Sequence, residues 1–360
     1  MKRLLLGLML LALPAIATAG PLTYRGESTL WADTLWSGEV LIDGIVTIAP
    51  EVTLTIAPGT IVRFTRFDSN ADDIGEHELF IQGRLLAQGR AGEPIRFTSM
   101  ETVPRAGDWG AINMMASQAE NVLEHCEVEY AYRGFHAHFA RARLQDSTFR
   151  YNRRGAQFQE SDVTITDCRF IDNLNGLQFR DSTVTLQDST VQGSYWGVRS
   201  VYSTVTMNGN RIEGNRVNGV NFRDSTVTLS ANRMSGNRRG LYLQRSNGRI
   251  DGNDLSDNSE YGLFLEDAEV VVDGNRIRGN GRGGVRLLNG TPVLTSNDLS
   301  GNDLYALVND GRTDLDLVGN AWGTTDPGVL AESIRDGGDR TGNGCVHLEL
   351  PLATLPIVIP

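Results

Sequence analysis

Gly176-Leu-Gln-Phe, Gly197-Val-Arg-Ser, Gly219-Val-Asn-Phe, Gly240-Leu-Tyr-Leu, Gly262-Leu-Phe-Leu and Gly284-Val-Arg-Leu are six versions of one phrase, set 21 or 22 residues apart. The register runs back through Gly155, Gly134 and Gly110 and forward to Ala306, so roughly ten turns share it. A fixed period in this range marks stacked supersecondary units, none of which can bury its apolar face alone. The chain reads as a solenoid.

Each turn carries three apolar signals. One is a Val-Thr-Leu-like triplet, as at Val163/Ile165, Val184/Leu186, Val205/Met207 and Val227/Leu229. The second is a single apolar residue: Phe149, Phe170, Val191, Ile212, Met234, Leu255, Ile277, Leu299. The third follows the aligned glycine. Alternation within each signal predicts strands with one buried face, three to a turn, and successive turns paired in parallel at ~4.8 Å. Two asparagine columns divide the strands. Asn210, Asn232, Asn253, Asn275, Asn297 and Asn320 form one, with Ser or Cys in earlier turns; Asn152, Asn173, Asn215, Asn237, Asn258, Asn280 and Asn302 form the other. Asparagine tolerates the left-handed backbone of a sharp corner, and its amide can bond the turn above, so both columns read as structural. A leucine-rich repeat shares the period but needs a leucine consensus, and the Gly-, Asn- and Thr-rich intervals hold no credible helix.

Outside the repeat, residues 1–19 read as an export signal: basic Lys2 and Arg3, apolar Leu4 to Leu13, and Ala17-Thr18-Ala19 before Gly20. No second apolar run is long enough to span a bilayer. Export to the periplasm or the cell exterior follows, with 20–105 as N-terminal cap and first coils, 106–319 as the central repeats and 320–360 as a closing segment. Trp31 and Trp36 are expected to cover the open end, and 67–78 to loop out. The formal net charge is −11, which disfavours nucleic acid and anionic lipid as partners. It also argues against a polyanionic ligand, unless calcium or a local arginine patch intervenes.

The run Val205-Thr-Met, Gly209-Asn210-Arg-Ile, Gly214-Asn215, Gly219-Val resembles the repeat of right-handed parallel β-helix proteins of the pectin-lyase-like superfamily. Within it the chain is similar to exported carbohydrate-binding and sugar-hydrolase-type repeats and to the accessory β-helix proteins of nitrous oxide reductase. Gly83-Arg-Leu-Leu-Ala, Pro94-Ile-Arg-Phe and Gly107-Asp-Trp109-Gly110 resemble early coils of such proteins, and Asn320-Ala-Trp-Gly-Thr-Thr-Asp-Pro327 a closing segment, with a short capping helix over Val329 to Arg335. The resemblance implies an all-β, right-handed parallel β-helix of about a dozen coils. It leaves function open, because the superfamily holds lyases, hydrolases, epimerases and non-catalytic proteins.

Enzyme signatures of the superfamily are thin. The polygalacturonase-like set of Asn-Thr-Asp, Asp-Asp and Gly-His-Gly is not present as a set, and Asp326-Pro327 is followed by Gly328 rather than histidine. Cys126 and Cys168 fall in one column two coils apart, about 9.5 Å at the strand spacing, beyond disulfide reach, and Cys345 lies further still. All three read as small buried column residues. His136 and His138 share one strand face but lack a third ligand, so no metal site is assigned; copper chemistry does not transfer to any residue here. Calcium is the one cofactor left open, at the Asp336-Gly-Gly-Asp339 turn at most. Thr183-Val-Thr185, Thr204-Val-Thr206 and Thr226-Val-Thr228, with Thr164 and Thr166 beside them, form a threonine array that Arg249 and Val271 interrupt, and high β-propensity accounts for it.

The outward row after the aligned glycines is the best candidate for function. His136, His138, Gln157, Gln178, Arg199, Asn221, Tyr242, Phe264 and Arg286 should line one sheet face, because alternate strand positions share a side. Planar amides, arginines and exposed aromatics suit sugar hydroxyls and ring faces, with Tyr242 and Phe264 the most suggestive pair. The leading reading is a non-catalytic protein that presents this face to a polysaccharide or cell-envelope partner. The alternative is a polysaccharide lyase, hydrolase or epimerase with its acid and base among Arg180, Arg199, Arg223, Glu266 and Arg286, and Glu266 with Arg223 and Arg286 as the cluster to test. A third, metal-cofactor delivery, rests on the resemblance alone. The oligomeric state is not legible.

Overall fold

The structure, a computed structural model, describes residues 20–356; the export signal lies outside the described residues. One turn shows how the sequence folds. Thr204–Asn208, Arg211–Glu213 and Asn218–Arg223 are three short strands separated by corners. Each pairs in parallel with its equivalent one turn on, as Val205↔Val227, Ile212↔Met234 and Asn221↔Tyr242. Repetition gives three ladders around one core, a right-handed parallel β-helix of about 14 turns. That exceeds the dozen expected, because the weakly patterned start is itself coiled. Leu22–Leu30 pairs along its whole length with Glu39–Ile48.

The buried face of every strand points into the bore. Val184, Val205 and Val227 stack on one ladder, and Phe149 lies on Phe170 with ring centroids 4.9 Å apart on the next. The aligned glycine borders the third ladder, where the turns approach too closely for a side chain. A Cβ on Gly155 would stand 2.6 Å from the Gly176 carbonyl oxygen and 3.1 Å from the Asn173 amide nitrogen. Ala306 is tolerated where the rung above shrinks to Ile334–Arg335.

The asparagine columns run as hydrogen-bonded ladders. Asn232 Oδ1 accepts from the Asn210 backbone N–H at 3.0 Å and from its side-chain amide at 2.8 Å. Its own amide donates to Asn253 Oδ1 at 3.0 Å and to the Met207 carbonyl at 3.0 Å. The columns do not supply the left-handed residues, however. Positive φ falls one position earlier, at Gly209, Gly214, Ala231, Gly236, Gly252 and Asp257. The bend is made there, and the asparagine that follows is free to point inward and satisfy the corner's backbone.

Three end features differ from expectation. Trp36 is fully buried and donates its indole N–H to Tyr24 Oη at 3.0 Å, but Trp31 is 78% exposed and covers nothing. Asp33 at the same corner bonds the Thr53 N–H at 2.8 Å. The closing helix runs Pro327–Ser333, two residues early, because Asp326 caps it and proline suits its first turn; Ile334–Arg335 then rejoins the third ladder. Cys345 is exposed, whereas Cys126 and Cys168 are buried in the serine–asparagine column. The acidic segment does leave the coil between Ile61–Phe64 and Glu78–Ile81, and its Gly75 N–H bonds the Gly107 carbonyl at 2.7 Å. No helix among the described residues is long and apolar enough to cross a membrane.

Candidate functional site

The third ladder brings the whole outward row into register. His136 pairs with Gln157, Gln157 with Gln178, Gln178 with Arg199, Arg199 with Asn221, Asn221 with Tyr242, Tyr242 with Phe264 and Phe264 with Arg286. A flanking row carries His138, Gln159, Arg180, Val201, Arg223, Gln244 and Glu266. A third row, at the residue before each glycine, adds Arg133, Arg154, Asn175 and Trp196. The face divides into three stretches of different chemistry.

At the N-terminal end the polar groups are partly buried, and His136 and Gln157 almost fully so. The Asn113 amide donates to Glu78 at 3.2 Å, and Asn113 Oδ1 lies 2.8 Å from His136 Nδ1. His136 is 5% exposed. Burial, helped by the neighbouring Arg133 charge, pushes its pKa down to about 4, so the ring is neutral at neutral pH. Burial raises the Glu78 carboxyl above its usual range. Arg133 and Arg154 both lie over the Tyr132 ring, at 4.8 and 5.2 Å. His138 stacks on Phe139 at 4.3 Å and approaches Glu160 at 3.4 Å, so the two histidines engage different partners. Among the described residues no cluster of three His, Cys, Asp or Glu could hold a metal ion.

The middle stretch is open. Gln178, Arg180, Arg199, Asn221, Arg223 and Gln244 line a cavity of about 200 Å³. Arg199 is half-buried, and its guanidinium lies 4.6 Å from the Trp196 ring centroid.

The C-terminal stretch departs from the sequence reading. Tyr242 and Phe264 do stack, with centroids 4.7 Å apart and planes at 16°. Yet Phe264 is 6% exposed, because Arg239 and Arg286 lie over its ring at 5.2 and 4.9 Å. It is not an open platform for a sugar ring. The cluster of Glu266 with Arg223 and Arg286 is not assembled either. Glu266 accepts from the Tyr242 hydroxyl and, at 2.9 Å, from Gln244. Burial and that carboxylate push the Tyr242 phenol up to about 12. Arg286 pairs with Asp310 at 2.8 Å, and Arg223 stands 3.5 Å from Asp224. A carboxylate with nearer neutral donors and arginines with nearer acids have no reason to converge.

Glu78, Asn113, Arg133, Arg154 and Trp196 were missed by sequence reasoning. Glu78 and Asn113 belong to turns lengthened by excursions, where Leu79 pairs with Ile112 and the 21-residue period fails. Arg133, Arg154 and Trp196 were within reach, since each precedes an aligned glycine. A separate cavity of about 460 Å³ lies beside the closing helix, lined by Pro327, Leu330, Ile334, Val346 and Leu348 together with Asp336 and Asp339.

Comparison with known proteins gives architecture. The crystal structure of the periplasmic alginate epimerase AlgG superposes with a TM-score of 0.44 at 14% identity, covering 87% of this chain and 76% of that one. The A-module of the Azotobacter vinelandii mannuronan C-5 epimerase AlgE4 gives 0.34 at 14%, covering 94% and 87%. The Agl-KA catalytic domain gives 0.41 at 13%, covering 85% and 63%. These likenesses say nothing of what this chain acts on. No curated protein matches the sequence. The family described as right handed beta helix region matches residues 108–221 and 179–321, more than half of the chain, and the chain belongs to that family.

Proposed function

We propose that this chain is an exported, non-catalytic binding protein whose third-ladder face receives an extended glycan of the cell envelope or its surroundings. The carrying observation is the unbroken register from His136 to Arg286, with amides and a guanidinium open to solvent at Gln178, Arg199 and Asn221. Seven spacings of ~4.8 Å make a row ~34 Å long, in which His136, Gln157 and Phe264 are buried, so direct contact with a chain molecule centres on Gln178, Arg199 and Asn221. Rigid strands hold the donors, so little ordering opposes binding. The cell-envelope setting rests on the signal-like residues 1–19.

The test is a glycan-array screen of residues 20–360, with mass spectrometry of each bound glycan. Intact glycan is expected, bound about tenfold more weakly after Gln178→Ala with Asn221→Ala, as the loss of two hydrogen bonds implies. No bound glycan, or binding that ignores both substitutions, would sink the proposal. One observation favours the second reading, an enzyme of polysaccharides: a half-buried carboxyl and a neutral imidazole joined by Asn113 are the raw material of acid–base chemistry. Cleaved or epimerised product, abolished by His136→Gln, would establish it instead.

A further inference from the structure

Among the described residues Arg199 has no acidic partner. The two arginines that flank its cavity do: Arg180 reaches Asp181 at 2.8 Å and Arg223 reaches Asp224 at 3.5 Å, whereas Arg154, two rungs earlier, bonds Gln157 and like Arg199 forms no ion pair among those residues. Among the described residues no carboxylate lies within ion-pair distance of Arg199, although the protein as a whole is acidic with a net charge of −11. Asp224 is claimed by Arg245, which engages it at 2.7 and 3.0 Å, so little of its charge is left for the face. The cavity beside Arg199 is lined by amides and two more arginines and by no acid.

A guanidinium needs an acceptor, and taking one half out of water without an anion is costly. Here the cost is held in a fixed geometry, with the guanidinium lying over the Trp196 ring and Arg199 itself lining the cavity. Arg154 and Arg223 add positive charge and depress the Arg199 pKa after burial itself, though a guanidinium stays charged. Such an arrangement awaits a negative group. Resting on the proposal that this face binds a glycan, we infer that the Arg199 cavity is an anion subsite, taking one carboxylate or sulfate substituent of that glycan. Arg199 would form paired N–H···O bonds, Arg180 and Arg223 would flank the anion, and Gln178 and Asn221 would bond adjacent hydroxyls. A cavity of about 200 Å³ admits a single sugar unit, so one charged unit is read at this point of the strip.

The experiment compares binding of residues 20–360 to matched pairs: polyuronates with their carboxyl-reduced forms, and sulfated galactans with their desulfated forms. At least a tenfold preference for one charged member is expected, falling with salt, and the preferred pair identifies the anion. Arg199→Gln should abolish that preference, bringing the charged member's affinity down to the level of the neutral one, and Arg199→Lys should keep part of it. Equal binding of both members overturns the subsite and leaves the face intact. Binding of neither overturns the face and the subsite together. A preference that survives Arg199→Gln places the anion elsewhere and overturns the assignment. Thermal unfolding without ligand separates the effects: Arg199→Gln should melt no lower than the parent, because it removes an unpaired charge. A clear drop would mean that Arg199 serves packing on Trp196, which also counts against the subsite.

Discussion

His136 concentrates the physics of the face in one side chain. It lies on an outward row, yet Asn113 and the arginines beside it leave it 5% exposed. Its folded pKa is about 4, below the unfolded 6.5, so the unfolded chain binds a proton first as the solution is acidified. The stability this ring contributes is complete above pH ~6.5 and is lost as pH falls through ~4, a total of up to ~3 kcal/mol. Glu78, raised by burial, works in the opposite sense and offsets part of the loss. Urea unfolding at pH 7 and pH 4.5 should therefore give a smaller difference for His136→Gln than for the parent. An identical difference would show that the ring takes up its proton without cost.

At the scale of the element, the corner does the work that the strands cannot. Each turn bends at a residue of positive φ, and the side chain after it ties the corner to the turn above. Asn232 is fully buried and makes four such bonds, so Asn232→Ala strands the Asn210 N–H and the Met207 carbonyl at once. At 1–3 kcal/mol for each stranded group, a loss of about 3 kcal/mol or more is expected in denaturant unfolding. Asn232→Ser should cost distinctly less. Ser147 and Ser189 occupy the same column and accept from the backbone N–H of Cys126 and Cys168, at 3.0 Å in each case. Equal losses for the two variants would show that the retained backbone N–H contact contributes nothing and that the amide bonds carry the whole effect.

The molecule as a whole is a stack, and a stack has two ends. Its interior turns are paired above and below, but a terminal rung offers unpaired backbone groups to any other chain. The described closing segment meets this with the Pro327–Ser333 helix, whose Leu330 is buried, and with Val346–Glu349 as the last rung of the first ladder. We predict that deletion of 320–360 produces concentration-dependent end-to-end association, visible by light scattering. A truncated protein that stays monomeric and soluble would remove the capping role from this segment.

Periodicity alone determined the coil, the three strands per turn, the inward faces and the register of the outward row, because every one of these follows from local alternation repeated at a fixed interval. The asparagine columns were legible for the same reason. Partner choice was not. Whether Glu266 meets Arg286 or Tyr242, and whether Arg239 and Arg286 shield Phe264, depends on side chains one or two turns away competing for one acceptor or one ring face. Those contests are settled by distances across the ladder that no spacing in the chain records. The Glu78–Asn113–His136 chain was hidden for a simpler reason: the period fails between its members, and only the folded stack brings them onto adjacent rungs.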